Sequence, residues 1–283
     1  MNRLFVDNLT VIDFAFLDPE RGLVGESWIV DIELGGELDD QGMVFDFGHV
    51  KHTIKAEIDR QLDHKLLIPS DYEGLQWLAT GAQPRLKWIT HHGWHLEHAS
   101  PEEAIATLPG RQITMDAASE ALSEALRAVL PDNVHEIRVG LREEAINGDW
   151  YHYTHGLKKH EGNCQRIAHG HRSRLEIHRD GERAPDLEAL WCTLWRDIFI
   201  AHNEDLVASE NHEGVDYNRY RYESNQGKFE LALPVHRLYT IPSDSTVELI
   251  ARHIHERTRA MEPEAHIRVR AFEGVGKGAI AGD

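Results

Sequence analysis

Three histidines, His155, His169 and His171, have the side-chain type and spacing that most directly suggest chemistry in this sequence. His169-Gly170-His171 opens an alternating stretch, and on a strand residues i and i+2 point to the same face, so both imidazoles can reach one ion. His155 closes Tyr151-His152-Tyr153-Thr154-His155, and a hairpin would carry it across from the pair; His152 and His160 are alternatives for the third place. Three neutral imidazoles suit zinc, and three protein ligands leave a fourth position open, as in catalytic sites. Cys164 lies inside the same hairpin. A second cluster, His91-His92-Gly93-Trp94-His95-Leu96-Glu97-His98, could line a helical face with His91, His95 and His98. It has no nucleophile beside it and is expected to be a solvated or interface segment.

The elements that must position these groups occur twice. Ile137-Arg138-Val139-Gly140-Leu141-Arg142-Glu143 and Ile267-Arg268-Val269-Arg270-Ala271-Phe272-Glu273 alternate as half-buried strands and end on a Glu. Before them run apolar stripes of helical period. One is Ala118, Leu122, Ala125, Leu126 and Val129, with Thr114 as cap. The other is Val247, Ile250, Ala251 and Ile254, with a Ser245-to-Glu248 capping box. Further upstream, Val50, Ile54, Ile58 and Leu62 precede Asp63-His64. Leu187, Leu190, Trp191, Leu194, Trp195 and Ile198 precede Ala201-His202. Strands come first in both halves, with Trp28, Val30, Ile32 and Leu34 in one, and Ser173, Leu175 and Ile177 in the other. Each half therefore reads strand, strand, helix, helix, strand, strand. The pattern predicts an α+β chain of two domains, 1–147 and 148–283, with a turn at Asn147-Gly148-Asp149. Stretches 65–113 and 203–244 are hairpin-like insertions of undefined role.

Thirty Lys and Arg against 48 Asp and Glu give a net charge of −18, which argues against nucleic acid or an anionic membrane as partner. No apolar run approaches the ~20 residues of a membrane span. The N-terminus has no signal-peptide pattern, and the two cysteines, Cys164 and Cys192, are too few for a disulfide framework. A soluble, cytoplasmic protein is expected. Locally the charge reverses: Lys158, Lys159, Arg166, Arg172 and Arg174 face only Glu161 between 158 and 174, as an anionic substrate would require.

With Tyr153-Thr154-His155-Gly156-Leu157, Cys164 and His169-Gly170-His171, the second half resembles the 6-pyruvoyltetrahydropterin and 6-carboxytetrahydropterin synthase family. Ala201-His202, Thr246-Val247-Glu248 and Glu273 fall where that family has its Asp-His pair, its Thr-x-Glu helix start and its strand-end Glu. The resemblance implies a tandem tunnelling fold (T-fold), whose antiparallel sheets join into barrels, and hence a homo-oligomer. It implies Zn2+ as cofactor and 7,8-dihydroneopterin triphosphate, a small-molecule pterin triphosphate, as substrate. The implied product is 6-carboxytetrahydropterin, used in 7-deazaguanine (queuosine) synthesis, or its pyruvoyl counterpart. Cys164 is then the general base and His202 part of the proton relay. Glu273, Glu143, Thr246, Arg166 and Arg172 are then substrate-binding.

The first half is similar to the same family through Gly42-Met43-Val44-Phe45-Asp46-Phe47 and Leu62-Asp63-His64, but it departs at the metal site. Val24-Gly25-Glu26 stands where the His-Gly-His would be, so this half binds no zinc in the family's manner. Conversely, the second half has Ala201 where Asp is expected. In the family the Cys and the Asp-His pair meet across a subunit interface. The two halves are therefore expected to be complementary, with zinc and Cys164 from one and Asp63 and His64 from the other. Two rivals stand beside this reading: cleavage to 6-hydroxymethyl-dihydropterin, which Cys164 disfavours, and non-catalytic pterin or purine binding.

Overall fold

Each half is built on a long antiparallel hairpin, and the computed structural model describes residues 2–282. In the first half β1 (Asn2–Asp18) and β2 (Gly22–Gly36) form the hairpin. β8 (Val134–Glu143) adds antiparallel to β2, while β3 (Leu66–Pro69) and β7 (Ile105–Leu108) run parallel beside β1. The order is β7-β3-β1-β2-β8. In the second half β9 (Trp150–His155) pairs with β10 (His169–Arg179), and β17 (Ile267–Phe272) follows. β12 (Ile198–His202) and β16 (Leu238–Ile241) lie parallel beside β9. With β18 (Gly278–Ala281) the order becomes β16-β12-β9-β10-β17-β18, and the short β11 (Glu182–Arg183) pairs with the end of β10.

Alternation decides which face meets the helices. In the first half Ile12, Phe14, Trp28, Val30 and Ile32 pack against Val50, Ile54, Ile58, Leu122 and Leu126. After the short α1 (Phe47–His49), those residues come from a π-helical stretch Val50–Ile54, α2 (Lys55–Gln61) and α3 (Met115–Arg127). Thr114 caps α3 as expected, accepting from the Ala117 N–H at 3.2 Å. In the second half Tyr151, Tyr153, Leu175 and Ile177 meet Leu187 and Trp191 of α4 (Pro185–Leu194) and Ile250 and Ile254 of α5 (Val247–Met261). No helix among the described residues is long and apolar enough to cross a membrane.

The two insertions make one further sheet. β4 (Leu75–Ala79), β5 (Arg85–Ile89) and β6 (His95–Ala99) come from the first. β13 (Leu206–His212), β14 (Val215–Ser224) and β15 (Gly227–Pro234) come from the second. β6 pairs antiparallel with β15, Ala99 opposite Glu230 and Glu97 opposite Ala232, giving the order β13-β14-β15-β6-β5-β4. Its apolar face (Leu86, Trp88, Leu96, Phe229, Leu231) covers Ala15, Leu17 and Leu66 of the first half and Ile167, Phe199 and Ala201 of the second. The insertions thus clamp the halves together through a shared core.

Several sequence expectations need correction. The histidine cluster is not helical: His95 and His98 sit on β6, and burial pushes the His98 imidazole down to about 3. Only the second half has a second strand after its last helix, β18, since residues 144–149 after β8 lead straight into β9. α4 stops at Leu194, and Leu190 and Leu194 are 48% and 50% exposed rather than part of a buried stripe. Ala201-His202 consequently lies on β12, whereas Asp63-His64 follows α2 in a turn, with His64 at φ 54°. The cap of α5 is Thr246, whose hydroxyl accepts from the Leu249 N–H at 3.4 Å, and not Ser245.

Candidate metal and proton-relay site

The site forms where the two hairpins touch. A Cβ on Gly25 would fall 2.6 Å from the His171 nitrogen, and one on Gly170 would fall 2.7 Å from the Gly25 Cα. Only glycine permits this approach from both sides. Superposing the registers at these glycines pairs Phe16 and Val24 of the first half with His155 and His169 of the second. Glu26 then takes the place of His171 and Asp13 that of His152. Two of the three ligand positions are thus apolar in the first half, which removes its capacity for the ion.

In the second half His155 and His169 face each other in register, and His171 follows on the same face of β10. The three rings are buried, and one ligand nitrogen from each lies within 4.8 Å of the others. Each Nδ1 faces a carbonyl or carboxylate oxygen, and that of His155 also lies 3.1 Å from the Ser245 hydroxyl. His155 Nδ1 donates to the Ser245 carbonyl at 2.9 Å and His169 Nδ1 to the Arg166 carbonyl at 2.8 Å. His171 Nδ1 lies 3.1 Å from the Asp13 carboxylate, close but off the ideal line. The Nε2 lone pairs are thereby turned inward, and those of His155 and His171 stand 3.2 Å apart. Two buried acceptors at that separation repel unless a cation lies between them. Burial, with neighbouring imidazoles, pushes His155 and His169 well below the usual histidine range, the neutral form a metal requires. The donor set therefore fits zinc, with the tautomers fixed from outside.

A second chain of contacts runs into this cluster from the first half. Cys164 Sγ is 3.3 Å from His64 Nε2, and His64 Nδ1 is 2.6 Å from Asp63 Oδ2. The His64 ring also lies against His169, with centroids 5.0 Å apart. Burial works against a charge on His64, but Asp63 and Cys164 outweigh it and raise the imidazole to about 10. The turn is pinned to β1: Asp63 Oδ1 accepts from the Asp13 N–H at 2.9 Å, and the His64 N–H donates to the Asp13 carbonyl at 2.7 Å. Arg166 closes it from the other side, reaching the carbonyls of Asp63 and His64 at 3.5 and 3.4 Å.

The remaining expected residues separate. Glu273 Oε1 is 4.0 Å from Nε2 of both His155 and His171, at the partly open side of the cluster. Thr246 neighbours Ser245 but engages its hydroxyl in capping. Glu143, the counterpart of Glu273, lies instead near Arg172, at 3.4 Å. His202 is not brought to Cys164; its Nδ1 faces Asp244 at 3.6 Å and Glu204 at 3.9 Å. The basic stretch is largely neutralised. Lys158 and Lys159 pair with Asp205 and Asp244, and Arg174 lies near Glu144 and Glu176. Arg172 is buried over Trp150, donating to the Glu144 carbonyl. The Arg172 guanidinium, expected to contact substrate, is thus engaged by Trp150, Glu144 and Glu143. Sequence reasoning also missed Asp13, Ser27, Ser245 and Lys277. The only local signal was an acid between apolar neighbours in Ile12-Asp13-Phe14.

Comparison with known proteins gives a consistent result. The profile of the family described as 6-pyruvoyl tetrahydropterin synthase matches residues 18–154 and, separately, 147–281. A Pyrococcus abyssi protein provisionally named 6-carboxy-5,6,7,8-tetrahydropterin synthase is 27% identical over 145 residues, 49% of this chain and 79% of its own. A Methanocaldococcus jannaschii protein of the same provisional name is 28% identical over 143 residues, 48% of this chain and 84% of its own. The crystal structure of 6-pyruvoyl tetrahydropterin synthase from Plasmodium vivax aligns with 52% of this chain and 93% of that one, at 18% identity and a TM-score of 0.41.

Proposed function

Because the chain belongs to the 6-pyruvoyl tetrahydropterin synthase family, whose profile it matches once in each half, we propose that it is a cytoplasmic, zinc-dependent lyase with one composite site per chain. Its substrate is 7,8-dihydroneopterin triphosphate and its product 6-carboxytetrahydropterin, the other two side-chain carbons leaving as acetaldehyde and the phosphates, with uptake of a water, as triphosphate. The observation that carries this reading is the convergence of three inward Nε2 atoms with a Cys164–His64–Asp63 relay drawn from the other half.

His155, His169 and His171 would hold the ion, and the chemistry zinc supplies when bound is Lewis acidity toward the oxygens of the substrate side chain. Cys164 takes and returns the proton that moves between ring and side chain. His64 Nε2 hydrogen-bonds the sulfur, and Asp63 holds the ring so that this nitrogen faces Cys164. Glu273 offers a carboxylate to the pterin N–H edge. Arg166 fixes the turn that carries the relay, a role its contacts support better than phosphate binding. The provisional names of the archaeal relatives favour the carboxy product over the pyruvoyl one. The outer edges of β8 and β18 pair with no strand among the described residues, and a homo-oligomer completing a barrel through them belongs to this proposal.

Zinc-loaded protein given 7,8-dihydroneopterin triphosphate should release carboxypterin, identified by mass. Pyruvoyl or hydroxymethyl pterin would reassign the reaction. A second reading, a pterin-binding protein without turnover, is favoured by the pairing of the basic stretch with acids. Stoichiometric pterin binding without any product would select it.

A further inference from the structure

Asp13 is a buried acid in the apolar stretch of β1, on the half that carries no metal ligand. Its Oδ1 accepts from Ser27 Oγ at 2.5 Å and lies 3.1 Å from His171 Nδ1, while its Oδ2 accepts from Lys277 Nζ at 3.0 Å. A buried carboxylate so surrounded is a fixed charge, because each partner would be left exposed to desolvation without it.

The three ligands are not oriented equally. His155 and His169 donate to backbone carbonyls, which are neutral acceptors. His171 alone faces a charge, and a carboxylate behind a ligating imidazole both fixes its tautomer and raises its basicity. The arrangement also has a counterpart across the approximate twofold relating the halves. His152, at the register position of Asp13, lies 3.8 Å from Glu26, at the register position of His171. One side of the contact thus sets an acid behind a metal ligand. The other sets an imidazole beside an acid, with the other two ligand positions filled by Phe16 and Val24.

Taking zinc at the three histidines as given, and resting on that reading, we propose that Asp13 is a positioning residue of the metal centre supplied by the metal-free half. Its side chain holds His171 so that Nε2 is presented to the ion, and its backbone holds the Asp63-His64 turn against the same site. The metal affinity of the second half is then set by the first.

Zinc binding by the wild-type chain is measured first, by competition with a chromophoric chelator; a wild type that takes up no zinc overturns the metal reading, and this proposal with it. Asp13→Asn keeps the shape and the backbone contacts but removes the charge and sets an amide where Lys277 and His171 need acceptors. Its zinc Kd should rise about 10–100-fold, and the d–d bands of the cobalt-substituted protein should shift. Glu26→Gln, at the register position of His171, should leave both readouts unchanged. Wild-type affinity together with an unshifted cobalt spectrum in Asp13→Asn overturns the proposal. Should that variant not fold, the nitrogen resonances of labelled histidine in the zinc-loaded wild type decide. His171 protonated at Nδ1 and bound through Nε2 supports the assignment, and binding through Nδ1 overturns it.

Discussion

Asp63 and Cys164 belong to different halves, and the single imidazole of His64 separates them. Under the proposed function, that arrangement divides metal binding from proton transfer among side chains. Asp63→Asn and Cys164→Ala should each lower kcat by about 100-fold or more, the usual contribution of a positioned acid–base group, while retaining stoichiometric zinc. His202→Ala should leave kcat near wild type, because its ring faces Asp244 and Glu204. A collapse of turnover in His202→Ala beside a tolerant Asp63→Asn would reverse the roles given to the halves. The convergence of His155, His169 and His171 was legible because a two-residue strand period and a hairpin are local facts. Asp13 was not, since its meaning comes from His171, on the far side of a contact between hairpins. The basic stretch misled for the same reason: the acids that pair with it, Asp205, Asp244 and Glu176, lie outside it.

Among the elements, β2 and β10 approach most closely at Gly25 and Gly170. A Cβ on Gly25 would sit 1.9 Å from the Tyr153 carbonyl oxygen, a backbone atom with nowhere to retreat. Gly25→Ala should therefore cost about 3 kcal/mol or more, at the upper end of overpacking effects, read by urea unfolding. Gly140→Ala on β8, whose added carbon would meet the Asp31 Cβ at an ordinary 3.5 Å, is the contrasting case and should change stability little. Equal tolerance of the two would show that the halves can part at this contact. Alternating strands such as Ile137–Glu143 were legible by period. The extent of α4 was not, because the run from Leu187 to Ile198 suits a helix throughout and only tertiary contacts turn its end into β12. The capping-box pattern at Ser245 failed at the same level: its carbonyl is turned toward His155, and Thr246 takes the cap.

At the scale of the whole chain, the three-histidine cluster and the Cys164–His64–Asp63 contacts meet within one molecule. Cys164→Ala and Asp63→Asn chains, mixed and refolded together, should therefore remain as inactive as either alone in the product assay. Recovery of activity would mean that the relay is completed by a second chain. The duplication itself was visible in repeated strands and helices, whereas the sheet joining the insertions was not. Its central pairing sets His98 opposite Leu231, and nothing local in either strand names the other. That pairing also orders events in time. A ribosome delivers β6 long before β15, so the part of this core that Phe229 and Leu231 complete must wait for more than a hundred residues of further synthesis. Contacts of such sequence separation close slowly, because loop entropy is lost before they form. The sheet that joins the two halves is therefore also a part of the nascent chain that stays incomplete until late in synthesis.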